Sequence, residues 1–502
     1  MEDKIHVETR YNEEDFEGRY GLFWRVSYWI DSFGEARGID RQPPDLRGKG
    51  DYKQFGRLLL IWLGAVGSMS SMNGFFVGPM VYDLGFKDSM TAGICGCFVG
   101  TLVAAYGAAM GPRSGLRQMV STRFQFGWWP AKFISLLNVL TLLGWSVVSL
   151  VTGGQMLKAI NHNVPLEVGI VIMMVVSLFI SIFGINYLVY FDRIFVLPTL
   201  VTFLLIYVCT GANYPASSPS IGDPETIRGN WVTFFCSAIG ITSTWIAVTC
   251  DYFLDMPESV SSWKVFFFTT AVMFPVTVFC GIPAIGIGCA AKYGKDTWLQ
   301  AYNDLGNGGM LTEAMSKWHG GGKFLVVVLY ISLVTNNISN NYSIPLSAQV
   351  FGRIWTKTPR YILCIVTAVI YLILALVGRL RLADILSNFL PMIAYWSMMY
   401  FVILFAETSI FRRKPYNEYQ WEEWNTKSHF PIMWSAIISF CCGIAGAVIG
   451  MDQTYWVGPI AKLVGRDGAD MGLFLSSGFT FLTYVPLRWV EIYYRGETPI
   501  RP

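Results

Sequence analysis

The sequence predicts an all-α polytopic membrane protein with about twelve transmembrane helices. Three observations carry this. The composition is that of a chain dissolved in lipid: of 502 residues, 53% are hydrophobic and 16% aromatic, only 14% are charged, and the mean hydropathy is +0.44. Apolar stretches of about 20 residues recur from Leu58 to Trp489, each closed by a polar, charged or Gly/Pro-containing connection. The charges gather in those connections, because a charged side chain in hydrocarbon is costly.

In chain order, residues 1–55 are polar, dense in both charge signs and lack the apolar segment of a signal peptide, so they read as a cytoplasmic tail. Twelve spans follow, at 56–82, 89–110, 131–160, 166–185, 189–212, 230–250, 263–290, 323–351, 360–378, 383–407, 429–450 and 470–492. They group as a ten-helix transport core (56–407), a cytoplasmic loop (408–428), two peripheral helices (429–492) and a cytoplasmic tail (493–502). With the N-terminus inside, about 26 Lys and Arg fall to the tails and even-numbered loops and about 11 to the odd-numbered loops, as the positive-inside rule requires. The short loops agree, since Arg113, Arg117, Arg123, Arg353, Lys357, Arg360, Arg412, Arg413 and Lys414 all fall inside.

The ten cysteines lie in or at the ends of spans without CxxC or Cys/His ligand spacing, and the four histidines form no HExxH-like cluster. Neither a metal nor a cofactor is expected. A net charge of +3 gives no sign of a nucleic-acid partner. No nucleophile–base pair converges, which argues against an enzyme. A channel would show a continuous polar or ringed pore.

The informative residues are the few polar ones at membrane depth. In span three, Asn138, Thr141, Trp145, Ser149 and Thr152 recur at steps of three and four and share one helical face. In span eight, Asn336, Asn337, Asn340 and Asn341 sit at mid-span beside Thr335, Ser339 and Ser343, and so many amides are hard to satisfy by packing alone. Span one carries SMSSMNGFFVGP (68–79), with Ser71 and Asn73 as candidates for solute contact, and span six carries SAIGITSTW (237–245). Both read as broken helices. Spans one and six are five apart, which points to an inverted repeat with a solute site near the membrane midplane. Trp145 on the stripe and Trp245 after the second break supply two ring faces able to hold a flat heterocycle. Asp251 is the acidic residue nearest to mid-membrane and thus the candidate for proton coupling, whereas sodium would use the broken span-one backbone with Ser332 or Thr335.

The loop GPRSGLRQMVSTRFQFGWWPAKF (111–133) resembles the signature loop of nucleobase-cation symporter family 1. GWSVV in span three, TW followed by CDY in span six, TNNISNNYS in span eight, NFLPMIAYW in span ten and the preceding EARGIDRQPP resemble its fungal purine-cytosine permease branch, so the resemblance runs from about residue 35 to the end. It implies a leucine-transporter-like fold: spans one to five and six to ten as inverted repeats, with spans eleven and twelve peripheral. It also implies that Trp145 and Trp245 stack on the solute, that Asn336, Asn337 and Asn340 line its pocket, and that Leu390 to Trp396, including Tyr395, gate it. The partners it implies are a small-molecule substrate, membrane lipid and a co-transported cation, a proton ahead of sodium, in a plasma membrane. Two positions depart from the branch: Ser149 stands where an Asn is usual, and Ser339 where a Pro is usual. A serine cannot present a paired amide donor and acceptor to a base edge. Purine or cytosine import by proton symport is the first expectation from the family; the two serines speak for the alternative, a carrier of vitamin B6 or another heterocyclic metabolite in the same family, with a non-transporting solute receptor behind both.

Overall fold

A computed structural model describes residues 38–182, 185–412, 419–466 and 468–495, with Arg25 and Ser27. Most of the expected N-terminal tail, part of the 408–428 loop and the last seven residues lie outside the described residues.

Each expected span meets a helix or a helix pair. Span one is Tyr52–Val66 followed by Met69–Met80, bent by 43°. Span two is Phe86–Ala108, span three Pro130–Ile160, span four Leu166–Ile182 and span five Ile185–Thr210. Span six is Pro224–Ser243, extended by tight turns to Phe253, and span seven is Ser262–Lys292. Spans eight, nine and ten are His319–Ala348, Arg360–Gly378 and Leu382–Ala406. Spans eleven and twelve are Trp434–Gly450 and Gly472–Arg495. Among the described residues, seven helices are long and apolar enough to cross a membrane, and the bent pair makes an eighth. Span six falls below that measure because Glu225, Arg228 and Asn230 sit in its first turns, and span twelve because it carries Arg488.

Two groups of helices and two connecting arms build the body. Spans one, two, six and seven pack together, and spans three, four, eight and nine form a second set. Span five joins spans one, seven and eight; span ten lies on spans six and twelve; spans eleven and twelve pair with each other. Close approach in lipid needs small residues. At Gly100 a methyl group would lie 2.4 Å from the Ile239 carbonyl oxygen, and at Gly240 one would lie 2.2 Å from that of Leu390, so spans two and ten each touch span six backbone to backbone.

Three details differ from expectation. The first helix begins at Tyr52, because the Asp51 carboxylate accepts the Gln54 N–H (3.0 Å) and caps it earlier than hydropathy alone indicates. The connection between spans seven and eight holds a further helix, Asp296–Ala314, kinked at Leu305 and Gly306 and too polar to read as a span. The charged loop after span two folds into the short helices Gly111–Ser114, Gln118–Ser121 and Arg123–Phe126, with Arg117, Gln118, Arg123 and Gln125 buried, so it is a packed element and not a solvated surface.

Candidate functional site

Span one breaks at Gly67–Ser68, at the leading edge of the polar run, and Ser68 is extended (φ −135°, ψ 164°). A broken helix leaves backbone groups that must find partners at membrane depth. Span eight supplies them. The Met69 N–H donates to Ser332 Oγ at 3.2 Å, and Asn336 Nδ2 donates to the Ala65 carbonyl at 3.2 Å. Thr335 returns its hydroxyl to the Ile331 carbonyl of its own helix (3.0 Å). Span six tightens from Thr244 and departs from helical geometry at Val248 (φ −137°, ψ −12°), a few residues later than the sequence pattern indicates.

Between the two breaks, span three and span eight lies a cavity with about 560 Å³ of empty space, its open mouth included. Span one contributes Ser70 and Ser71; span three contributes Asn138, Thr141, Leu142 and Trp145. Span six contributes Ile241, Thr244, Trp245, Val248 and Tyr252, and span eight Asn336, Ser339, Asn340 and Ser343. Every one of these side chains is uncharged. The cavity is therefore suited to a neutral ligand, because a phosphate or carboxylate would lose its hydration without gaining a cation.

Both indoles are braced from behind. Phe389 of span ten meets Trp145 edge-on (5.7 Å, 78°), and Trp62 of span one meets Trp245 edge-on (5.7 Å, 76°). Edge-to-face contact fixes a ring while leaving its other surface available. Gly144 makes the first brace possible, since a Cβ there would lie 2.3 Å from the Phe389 ring.

The span-eight amides divide by helical geometry, because successive residues point about 100° apart. Asn336 and Asn340 lie on the cavity wall. Asn337 and Asn341 turn to span four and donate to Ser177 Oγ (2.7 Å) and Ser181 Oγ (2.6 Å). Asn340 is buried on the wall with its amide nitrogen meeting no protein acceptor, and a buried unpaired donor is expensive unless a ligand or water answers it.

Of the residues singled out in the sequence, Ser71, Asn138, Thr141, Trp145, Trp245, Asn336, Ser339, Asn340 and Ser343 meet at the cavity, and the others do not. Asn73 is buried in a polar layer, donating to Thr152 Oγ1 (2.9 Å) and accepting from Asn307 Nδ2 (3.2 Å). Ser149, one turn beyond Trp145, is fully buried off the wall with its hydroxyl unpartnered, and Asn337 is committed to span four. Leu390 presses its carbonyl on Gly240, Tyr395 turns away to Asp470, and Trp396 reaches the wall only through its 3.0 Å hydrogen bond to Thr141. Asp251 is held by Arg117 (3.3 Å) and by the Gln118 N–H (2.8 Å). Sequence reasoning passed over Val248 and Tyr252, whose place depends on the geometry of the second break, and Asn307, which sits on the unexpected helix.

Toward the N-terminal segment the cavity is covered by charged groups. Arg117 also donates to the Gly38 carbonyl (2.7 Å) and to the Tyr342 hydroxyl (3.3 Å). Arg47 meets Glu258 (3.5 Å) and the Pro112 carbonyl, while Arg41 pairs with Glu258 (3.5 Å) and Glu422.

Residues 53–466 match the family described as permease for cytosine/purines, uracil, thiamine and allantoin. The vitamin B6 transporter TPN1 of Saccharomyces cerevisiae is 37% identical over 518 aligned positions, covering 93% of this chain and 89% of the relative. The purine-cytosine permease fcyB of Emericella nidulans is 29% identical over 463, covering 92% and 90%. Among solved structures, the nucleobase-cation-symport-1 family transporter Mhp1, closed with bromovinylhydantoin bound, superimposes with a TM-score of 0.65 at 15% identity, covering 91% of this chain and 96% of Mhp1. A Na+-coupled sialic acid symporter gives 0.62 at 11% identity, covering 97% and 98%. These likenesses show the fold expected, an all-α transporter core of the leucine-transporter type with two peripheral helices. The chain is an integral membrane transporter and belongs to the nucleobase-cation symporter family, in its fungal purine-cytosine permease branch.

Proposed function

We propose that this chain imports a neutral, flat, hydroxyl-bearing nitrogen heterocycle of the vitamin B6 type, pyridoxine being the representative, by proton-coupled alternating access. The observation that carries this reading is the cavity wall: two braced indoles and a ring of hydroxyls from Ser70, Ser71, Thr141, Thr244, Ser339, Ser343 and Tyr252, with no charge among them. Indole faces suit an aromatic ring, and hydroxyls that both donate and accept suit a ligand whose own substituents are hydroxyls. The greater identity to a vitamin B6 transporter than to a purine-cytosine permease supports the same choice. Phosphorylated forms are expected to be rejected, for want of a cation on the wall.

A second reading, a purine or cytosine substrate, rests on Asn336 and Asn340, whose amides lie on one wall as a base edge would require. Asn336 already spends one of its two amide N–H donors on Ala65, and this narrows the match. That donor also occupies a carbonyl that a sodium ion would use, which supports proton coupling. In this reading both termini are cytoplasmic, the membrane is the plasma membrane, and residues 56–407 form the moving core with 429–492 beside it.

Uptake of radiolabelled pyridoxine, cytosine, adenine and hypoxanthine into permease-deficient yeast expressing the chain, at pH 5 and pH 8, tests this. Accumulation of pyridoxine that weakens at pH 8 is expected. Accumulation of a base without pyridoxine would overturn the substrate, and equal accumulation at both pH values would overturn the coupling.

A further inference from the structure

Outside the cavity, three acidic side chains among the described residues are fully buried: Glu407, Glu491 and Asp470. The two glutamates share Arg488, at 2.9 and 3.4 Å, as a buried ion-paired cluster does. Asp470 has no ion pair among the described residues. It lies in the segment 451–471 that joins spans eleven and twelve, on the face opposite the N-terminal segment.

Its carboxylate accepts three hydrogen bonds, each from a neutral donor on a different element. These are the Tyr395 hydroxyl on span ten, Gln453 Nε2 (3.0 Å) on the short hairpin that follows span eleven, and the Gly472 N–H (2.9 Å) at the start of span twelve. The Asp470 N–H in turn donates to Thr233 Oγ1 of span six (3.0 Å), and its carbonyl accepts from Cys236 Sγ (3.5 Å). The other titratable groups facing it among the described residues are Tyr82 at the end of span one and Asp452 and Tyr455 on the hairpin, and Asp452 acts on it as a second acidic group. Burial, reinforced by Asp452, pushes this carboxyl up to about 7.

The position connects to the cavity. Tyr395 adjoins Trp396, which donates to Thr141 on the wall, and the next residue, Ser397, meets Ser243 at 2.8 Å and joins spans ten and six.

We propose that Asp470 is a proton-binding site that latches span ten: as a carboxylate it gathers Tyr395, Gln453 and Gly472, and on taking up a proton it releases at least one of these donors, freeing span ten to move against span six. The reason is the acceptor count. An ionised carboxylate only accepts, whereas the acid turns one oxygen into a donor that conflicts with an incoming O–H or N–H. The inference deepens the proton-coupled reading and rests on it, naming where a proton arriving at the face opposite the N-terminal segment is bound.

The test is hydrogen–deuterium exchange of the full chain in lipid nanodiscs without substrate, at pD 5.5 and pD 8, corrected for intrinsic exchange. In the wild type, peptides covering 451–471 and the first half of span ten are expected to exchange about tenfold faster at the lower value. Asp470→Asn, permanently neutral, is expected to exchange fast at both. Tyr395→Phe removes a donor that favours the carboxylate and should move the transition to higher pH; it also decides the matter if the Asn variant does not fold. Unchanged exchange between the two conditions in the wild type, wild-type pH dependence in Asp470→Asn, or an unmoved transition in Tyr395→Phe would each overturn the latch. With no substrate present, a wrong choice of heterocycle leaves the outcome untouched. A latch that titrates while wild-type uptake ignores pH would refute the coupling and leave the proton site standing.

Discussion

The cavity is closed toward its two faces by different chemistry. Toward the N-terminal segment the closure is ionic, with Arg117 and Asp251 at 3.3 Å and Arg41 and Arg47 gathered on Glu258. Toward the opposite face the layer next to the cavity, inside the Asp470 cluster, is neutral: Asn73 joins Thr152 and Asn307, Gln155 accepts the Gly308 N–H (3.2 Å), and Phe389 leans on Trp145. A desolvated ion pair is strongly penalised when half of it is removed, whereas neutral amides and hydroxyls exchange protein partners for water with little net change. The two closures therefore differ in cooperativity. The ionic one should open in a single step, and the neutral one should loosen piecemeal, so the empty carrier is expected to favour opening away from the N-terminal segment.

The largest effect is expected at the ionic closure. Asp251→Ala leaves the Arg117 guanidinium, buried with only 5% of its side chain exposed, without its carboxylate, at a cost of about 3 kcal/mol or more to the closed form. Uptake per transporter at the cell surface should fall about 100-fold. The neighbouring Cys250 thiol, fully buried beneath the closure, should become reactive toward a thiol reagent. Uptake and Cys250 labelling at wild-type levels would remove the ionic closure from the mechanism.

At the neutral closure, Asn73→Ala strands the Asn307 amide and the Thr152 hydroxyl, an intermediate loss of about 1–2 kcal/mol. A fall in uptake of about tenfold, without new Cys250 labelling, would sharpen the contrast between the faces. A loss as severe as that of Asp251→Ala would erase it.

The smallest effect belongs to the rim. Glu422 pairs with Arg41 but its side chain is 81% exposed, and exposed pairs are worth about 0–1 kcal/mol. Glu422→Ala should leave uptake within about threefold of wild type, as measured at equal surface abundance. A larger loss would mean that the N-terminal strap, and not the Arg117–Asp251 pair, governs closure.

Much of this arrangement was legible beforehand, for identifiable reasons. Helical spans declare themselves because lipid imposes long apolar runs, and the span-three stripe from Asn138 to Trp145 declares itself because the helical period is fixed. The amide cluster of span eight was visible as a cluster, but its division was not. Asn336 and Asn337 are adjacent in sequence and face different neighbours, and only the position of span four, with Ser177 and Ser181, sets which amide is spoken for. The break in span one begins at Gly67, ahead of the polar residues that drew attention to it, because the partners of its freed backbone, Ser332 and Asn336, lie more than two hundred residues away. The helix Asp296–Ala314 was too polar to stand out among apolar spans, yet it supplies Asn307 to the closure. Asp470 falls at the expected start of span twelve, where nothing in the sequence marks it out. Its burial depends on the hairpin that folds over it, which no local pattern announces.

In the proposed binding mode a flat neutral ring sits between Trp145 and Trp245. The most direct test of that mode is uptake of labelled pyridoxine by Trp145→Ala and Trp145→Tyr at equal surface abundance. Loss of the stacking face should reduce uptake at least about tenfold in the alanine variant, while tyrosine, which keeps a ring, retains most of it. Undiminished pyridoxine uptake by Trp145→Ala would mean that no ring stacks on Trp145 during transport.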